Sequence, residues 1–173
     1  AYNEFNEGDP TFEDSAKWVD EFENLVISRT FSKAYGLAGL RVGYMVANAQ
    51  IASLLNTLRA PFNVNSVALA AALAALDDDE FLKEVVLNNT RERVRFMEFA
   101  KKHGLKAIES KANFVAIDFA PHDAQAIARD LLKAGVIVRP LLGYDLKDIL
   151  RITIGKKEEN DRLFLTLDKL LAK

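Results

Sequence analysis

The hydrophobic positions of this chain follow two different periods along its length, which predicts a mixed α/β protein. Short β-branched runs such as Leu25-Val26-Ile27 are typical of buried strands, whereas apolar residues spaced three and four apart indicate amphipathic helices. The strands predicted in this way are residues 24–29, 41–47, 114–119, 136–138 and 150–154. The predicted helices are residues 49–58, an alanine-rich stretch over 65–76, a long helix over 80–103, residues 124–134, and a last helix with Leu163, Leu167, Leu170 and Leu171 on one face.

Changes in this pattern divide the chain into two parts. Residues 30–40 are rich in small residues and contain Gly36 and Gly39, which favours an irregular loop between the first two strands. After the long helix the chain becomes a regular alternation of short strands and helices, which indicates a small and separate α/β layer. We therefore expect one domain in residues 1–84 and a second domain in residues 85–173.

Composition excludes several classes of protein. Of the 173 residues, 50% are hydrophobic and 28% are charged, a balance typical of a soluble globular protein. The formal net charge is -2 without a basic stripe, which argues against nucleic acid or an anionic membrane as the main partner. The lack of cysteine excludes disulfides and thiol catalysis, and we expect no metal site. No apolar run approaches the roughly 20 residues that a membrane helix needs, and no signal peptide is evident. We therefore expect a cytoplasmic protein.

Candidate chemistry is concentrated in the segment SRTFSKAYGLAGLRVG, residues 28–43. A desolvated lysine has a lowered pKa and can form a Schiff base with an aldehyde, and Lys33 follows a strand predicted to be buried. The hydroxyls of Thr30 and Ser32 and the guanidinium of Arg41 suit phosphate oxygens. Aldehyde capture beside a phosphate site is what pyridoxal phosphate (PLP) requires. Residue types alone fit a solvated turn lysine and a surface ion pair at least as well.

The spacing SxxxSKxxGLxGLRxG resembles the PLP-lysine signature of the class I and II aminotransferases of fold type I. The resemblance implies the C-terminal part of that fold, a partial large-domain sheet plus a small α/β domain, in a longer enzyme that is usually a homodimer. It also implies that Lys33 is the Schiff-base lysine and proton shuttle, and that Arg41, Ser32 and Thr30 bind the cofactor phosphate. The chain begins with alanine instead of methionine, and we expect it to be a fragment that binds PLP poorly by itself.

Other segments extend the resemblance over essentially the whole chain, in particular toward the histidinol-phosphate aminotransferases. Ala1-Tyr2 resembles the end of an Asp-Glu-Ala-Tyr element, which implies that Tyr2 donates to the cofactor's phenolic oxygen. The LRITIG segment implies that Arg151 grips the anionic group of the substrate. The segments GVIVRP and ANFV add Arg139 and Asn113 as further substrate contacts. Tyr2 would otherwise be a surface tyrosine, Arg139 an ion-pair residue and Asn113 a turn residue.

For the intact enzyme the resemblance implies PLP-dependent transamination between histidinol phosphate and the glutamate/2-oxoglutarate pair, in histidine biosynthesis. The expected partners are thus an amino acid or amino alcohol phosphate, a 2-oxo acid and a second copy of the chain. An aromatic amino-acid aminotransferase or a threonine-phosphate decarboxylase would carry the same lysine and arginine motifs. A non-catalytic PLP-sensing domain of a regulator, or a structural α/β domain in which Lys33 binds nothing, stays open as well.

Overall fold

The computed structural model describes residues 1–6 and 8–172, which form two compact units divided between Val85 and Val86. The strands are β1 Val26–Thr30, β2 Gly43–Ala47, β3 Lys106–Ile108, β4 Phe114–Asp118, β5 Arg139–Leu141 and β6 Leu146–Thr153. The helices are α1 Ala49–Leu58, α2 Ser66–Leu76, α3 Asp79–Lys102, α4 Ala124–Lys133 and α5 Lys157–Leu171. Short 3-10 turns cover Glu4–Asn6, Ser15–Asp20, Ala38–Leu40 and Leu142–Tyr144. The assignment of the two units to a PLP-binding domain and a small C-terminal domain stays a prediction.

The first unit contains the antiparallel pair β1–β2 and a small apolar core beside it. Phe31 follows β1 and Val42 precedes β2, and both are buried against Ala68 and Ala72 of α2. These alanines are 0% and 7% exposed, so this face of the alanine-rich helix packs closely on its neighbours. Short side chains let the helix backbone approach the two strand ends, and the packing holds both ends of the loop between them.

The second unit is a four-stranded antiparallel sheet in the order β3-β4-β6-β5, with helices packed on one face. Alternate residues of the two central strands point into this core, since side chains of a strand alternate between faces. The buried side chains come from β4, β6, α3, α4 and α5: Val115, Ile117, Leu150, Ile152, Phe96, Phe99, Ile127, Leu131, Leu163 and Leu167. Full burial of each large apolar side chain contributes about 1.5–3 kcal/mol, so this core holds the unit together. The opposite face of the two central strands carries both polar and apolar side chains, among them Arg151 and Phe114.

Most helices and central strands lie within a few residues of their predicted positions, but three predictions about strands are wrong. β1 was expected to be buried, yet Val26 is 41% exposed, and Arg29 is its single buried residue. Residues 136–138 do not form a strand, because Gly135 turns the chain at φ +76° and pairing with β6 starts at Arg139. β6 starts at Leu146 rather than at residue 150, and β3 was not predicted.

Helix length limits what the apolar segments can do. The most apolar helix, α2, has 11 residues, whereas a span of the bilayer needs roughly 20. None of the helices in the described part of the chain is long and apolar enough to cross a membrane.

Candidate active site

Lys33 lies in a tight loop that leads from β1 to the 3-10 turn Ala38–Leu40. The N–H of Leu37 donates to the carbonyl of Phe31 at 2.9 Å, which folds the loop back on its own start. The N–H of Gly36 donates to the carbonyl of Lys33 at 3.0 Å, and Gly36 has φ +70°, a conformation that side-chain-bearing residues rarely adopt. The backbone that carries Lys33 is therefore held in place by local hydrogen bonds and by the buried ring of Phe31.

The hydroxyl and guanidinium groups predicted to bind a phosphate lie around this loop. Nη1 of Arg41 is 3.4 Å from Oγ of Ser32 and 2.7 Å from the carbonyl oxygen of Ala38. Oγ1 of Thr30 accepts the N–H of Ser32 at 3.1 Å. Arg41 itself has φ +54°, and a left-handed backbone costs a residue with a Cβ about 1–2 kcal/mol. Two hydroxyls and one fork of N–H donors thus surround a single short loop, a donor set that suits phosphate oxygens.

Tyr2 lies on the same side of the unit as Lys33. Nζ of Lys33 is 5.9 Å from the centroid of the Tyr2 ring, within the range of a cation–π contact. Nδ2 of Asn6 donates to the carbonyl of Tyr2 at 2.7 Å, which ties the first residues to the turn Glu4–Asn6. The structure therefore brings together the residues predicted to contact the cofactor: Tyr2, Thr30, Ser32, Lys33 and Arg41.

The buried setting that the sequence suggested for Lys33 is wrong for this chain. Its side chain is exposed, and β1 before it is half exposed. β1 pairs with β2 on one edge in this chain, and a two-stranded sheet covers little of its own surface. β1 therefore has the apolar composition of a buried strand but is only partly buried in these 173 residues.

A second polar group lies on the open face of the sheet in the second unit. Arg139 of β5 and Arg151 of β6 are direct cross-strand partners, so their side chains project from the same face. The guanidinium carbon of Arg151 lies 5.1 Å from the ring centroid of Phe114 on β4, which orients the side chain. Like charges directly opposite each other are destabilising, and an anion bound between them would offset that repulsion.

Asn113 is tied to the strand that carries Arg151. The carbonyl of Asn113, just before β4, accepts the N–H of Ile154 at 2.9 Å and extends the β4–β6 pairing by one bond. The structure thus places the predicted substrate residues Arg139 and Arg151 in the sheet of the second unit, with Asn113 just before β4, and the predicted cofactor residues in the first unit.

A buried carboxylate on α3 was not found from the sequence. Glu92 is 0% exposed, although it lies four residues before Phe96 on the apolar face of the helix. Burial raises the pKa of Glu92, but hydrogen bonds from Asn160 and Arg95 outweigh burial and leave the pKa below its ordinary value. An acidic residue on the apolar stripe of an amphipathic helix was the signal that could have revealed it.

Comparisons with known proteins identify the family. The model of "Aminotransferase class I and II" matches residues 1–167, which include the Lys33 loop and the strand of Arg151. The chain belongs to the class I and II aminotransferases. Members of this family are PLP-dependent.

Two curated aminotransferases and one solved structure illustrate the similarity. The chain is 51% identical over 171 residues to histidinol-phosphate aminotransferase 2 of Haemophilus influenzae, covering 99% of the chain and 46% of that protein. It is 46% identical over 177 residues to histidinol-phosphate aminotransferase of Campylobacter jejuni, covering 99% of the chain and 47% of that protein. The structure of histidinol-phosphate aminotransferase from Sinorhizobium meliloti in complex with pyridoxal-5'-phosphate has TM-score 0.88 and 34% identity, covering 99% of the chain and 47% of that structure.

These matches confirm the predicted fold class, a mixed α/β part of a fold type I aminotransferase. The chain spans about half the length of the curated relatives that it matches.

Proposed function

We propose that the protein carrying this chain is a PLP-dependent aminotransferase that exchanges the amino group between histidinol phosphate and a 2-oxo acid, in histidine biosynthesis. The observation that carries the proposal is the single loop on which Lys33, Ser32 and Arg41 lie together. The names of the two curated aminotransferases support the substrate, and the PLP complex of the similar structure supports the cofactor.

The donor set of the first unit fits PLP. Arg41, Ser32 and Thr30 would bind its phosphate, because their guanidinium and hydroxyl groups converge on one loop. Tyr2 would donate its hydroxyl hydrogen to the phenolic oxygen, and Lys33 would hold the aldehyde end of the cofactor through Nζ. When bound, PLP supplies an electron sink that lowers the cost of removing a proton from the substrate's Cα.

Lys33 would act as the acid and base of the reaction. Its Nζ, as a free amine, would take the proton from Cα of the substrate and later return a proton. The short hydrogen-bonded loop between Phe31 and Leu37 holds the backbone of Lys33 in place, and the flexible four-carbon side chain moves the amine.

Arg151 and Arg139 would bind the anionic group of either substrate, a phosphate on the amino alcohol and a carboxylate on the 2-oxo acid. A guanidinium presents paired N–H donors that match both groups. The ring of Phe114 holds one guanidinium at 5.1 Å, and the neighbouring arginine adds a second positive charge on the same face. Asn113 is a third proposed contact at the end of that sheet.

We further propose a cytoplasmic homodimer for the whole protein. The first unit exposes large apolar side chains of α2, with Leu69 52% and Leu73 68% exposed. Surfaces of this kind are covered by other protein in stable assemblies. The mass of the whole protein in solution tests the homodimer. We also expect the isolated 173-residue chain to turn over little, since it spans about half the length of its relatives. An activity assay of that chain tests this second point.

The test is to add PLP to the full-length protein, reduce with borohydride and map the modified peptide. We expect the adduct on Lys33, and we expect Lys33→Arg to lose both the adduct and the activity. Lys83→Ala, an exposed lysine of the same unit, is the matched control and should keep both.

Substrate assays with the same preparation separate the alternatives. Amino transfer from histidinol phosphate supports the proposal, whereas a preference for aromatic amino acids, or release of CO₂ from threonine phosphate, would replace the substrate assignment. PLP binding without any turnover would indicate a sensing domain. A folded full-length protein that forms no adduct would overturn the catalytic proposal.

A further inference from the structure

The residue that follows the arginine-bearing strand is held by side chains from two helices. Gly155 lies two residues after β6, and Oδ1 of Asn160 accepts its N–H at 3.0 Å. Nδ2 of Asn160 donates back to the Gly155 carbonyl at 3.1 Å, and Nδ2 of Asn88 donates to the same carbonyl at 3.0 Å. Both polar groups of one backbone residue are therefore bound by side chains of α5 and α3.

Glu92 determines which way the amide of Asn160 points. Nδ2 of Asn160 donates to Oε2 of Glu92 at 2.9 Å, and both residues are at most 2% exposed. A carboxylate with a lowered pKa can only accept hydrogen bonds. The nitrogen of the Asn160 amide must therefore face Glu92, which leaves its oxygen free to accept the N–H of Gly155.

The orientation of Glu92 is itself fixed by arginine. Nη1 of Arg95 lies 2.6 Å from Oε2 of Glu92, and the same guanidinium is paired with Asp161. Nζ of Lys157 lies 2.6 Å from the second oxygen of Asp161. A chain of charge-assisted contacts thus runs from α3 to the first turns of α5, next to the end of β6.

No bulkier residue fits at the clamped position without a change. A Cβ on residue 155 would lie 2.5 Å from Oε2 of Glu159 and 3.4 Å from Oδ1 of Asn160. Oε2 of Glu159 already accepts the N–H of Lys156 at 2.7 Å, which caps α5. A side chain at this position would therefore displace the carboxylate of Glu159 from the cap.

This clamp follows the end of β6 that connects two of the three proposed substrate contacts, Asn113 and Arg151. Ile154 donates its N–H to the carbonyl of Asn113, and Arg151 of β6 is four residues before Gly155. Release of Gly155 would let the end of β6 move away from β4, which shifts Asn113 and Arg151 relative to each other. A misplacement of about 1 Å is enough to weaken bidentate recognition of a phosphate.

We infer that Asn160, oriented by Glu92, is a positioning residue for the anion-binding end of β6, acting through its two hydrogen bonds to Gly155. It touches neither substrate nor cofactor in this role. The inference rests on the proposed function of Arg151 and adds to it the residues that set the position of that arginine.

The test uses the full-length protein with Asn160→Ala and two readouts, steady-state kinetics with the amino alcohol phosphate and competitive binding of inorganic phosphate. We expect KM and the dissociation constant of phosphate to rise about tenfold, with kcat changed by about twofold or less. Leu167→Ala is the control, because it removes a fully buried side chain of α5. Loss of folded protein lowers the apparent kcat without raising KM, and this is the result expected for Leu167→Ala. If Asn160 has only a structural role, Asn160→Ala should give the same result.

Arg151→Ala keeps the inference distinguishable from the proposed function. If Arg151→Ala leaves phosphate binding unchanged, the proposed anion site is wrong. If Arg151→Ala weakens binding but Asn160→Ala alters only kcat, the positioning role is wrong and the proposed function stands. Should Asn160→Ala fail to fold, Asn160→Ser replaces the amide by a hydroxyl too short to reach both polar groups of Gly155, and a KM unchanged there would overturn the inference.

Discussion

Replacement of Glu92 by glutamine tests how much the second unit depends on its buried carboxylate. The carboxylate accepts hydrogen bonds from Asn160 at 2.9 Å, from Arg95 at 2.6 Å and from Arg91 at 3.4 Å. Glutamine keeps the shape and one acceptor oxygen, but it places an NH₂ group where donors already converge. Breaking a buried ion pair by removing one partner costs 3–5 kcal/mol. Because one acceptor survives, we expect Glu92→Gln to lower the free energy of unfolding by about 3 kcal/mol at neutral pH.

The loss of unfolding free energy in Glu92→Gln should become smaller as the pH falls. Burial opposes ionisation of Glu92, but its hydrogen bonds from Asn160 and Arg95 place its pKa below the ordinary value in the folded chain. The unfolded chain therefore binds this proton more readily, and the stabilisation is complete above the unfolded pKa of about 4.3. It is lost as pH falls through the lower folded pKa. The difference between the natural chain and Glu92→Gln should thus shrink below about pH 4.3.

Hydrogen exchange is the assay that can see this unit separately. The chain has one tryptophan, Trp18, which lies in the first unit, so its fluorescence does not report on Glu92. Exchange of the amides of α5 gives the opening free energy of the second unit directly. Glu98→Gln, an exposed glutamate of the same helix, is the control and should change little. A loss of less than about 1 kcal/mol at neutral pH, or a difference that grows with acid, would refute the reasoning.

Three further substitutions test other parts of the structure. Gly43→Ala would place a Cβ 2.5 Å from the carbonyl oxygen of Arg29, so we expect a loss of about 1–3 kcal/mol in the first unit by tryptophan fluorescence; an unchanged transition contradicts the packing of the two strands. Phe96→Ala removes a fully buried ring and should cost about 3–5 kcal/mol by hydrogen exchange of the second unit; a smaller loss would mean that the core closes over the gap. Arg139→Gln removes the charge opposite Arg151 and should stabilise the anion-free protein by about 0.2–1 kcal/mol while weakening phosphate binding, and both effects must appear together.

Helix positions could be predicted because their determinants are local. Asn48, Asn65 and Asp123 accept hydrogen bonds from the first turns of α1, α2 and α4, as capping residues of these types do. Gly104 and Gly135 adopt positive φ directly after α3 and α4, where the apolar period ends. Each signal involves residues a few positions apart, so the chain carries it without reference to its fold.

Strand pairing could not be predicted to the same accuracy. The run 136–138 is the more apolar segment, yet the β5 pairing begins at Arg139, because the register with β6 determines which residues bond. β1 has a composition typical of a buried strand and is half exposed in this chain. Whether a strand is buried depends on what covers it, and that contact is distant in sequence.

The sequence by itself determined the family and the loop that carries Lys33, Ser32 and Arg41, because their spacing within 16 residues lies inside one local segment. It also determined the helices, whose hydrogen bonds and caps are local. Only the tertiary structure decided that Arg139 and Arg151 face each other, since cross-strand neighbours depend on register. Only the fold brings Asn160 to Glu92 across 68 positions. A carboxylate can be buried when donors from distant parts of the chain hydrogen-bond to it, and the packing of the whole unit determines which donors reach it.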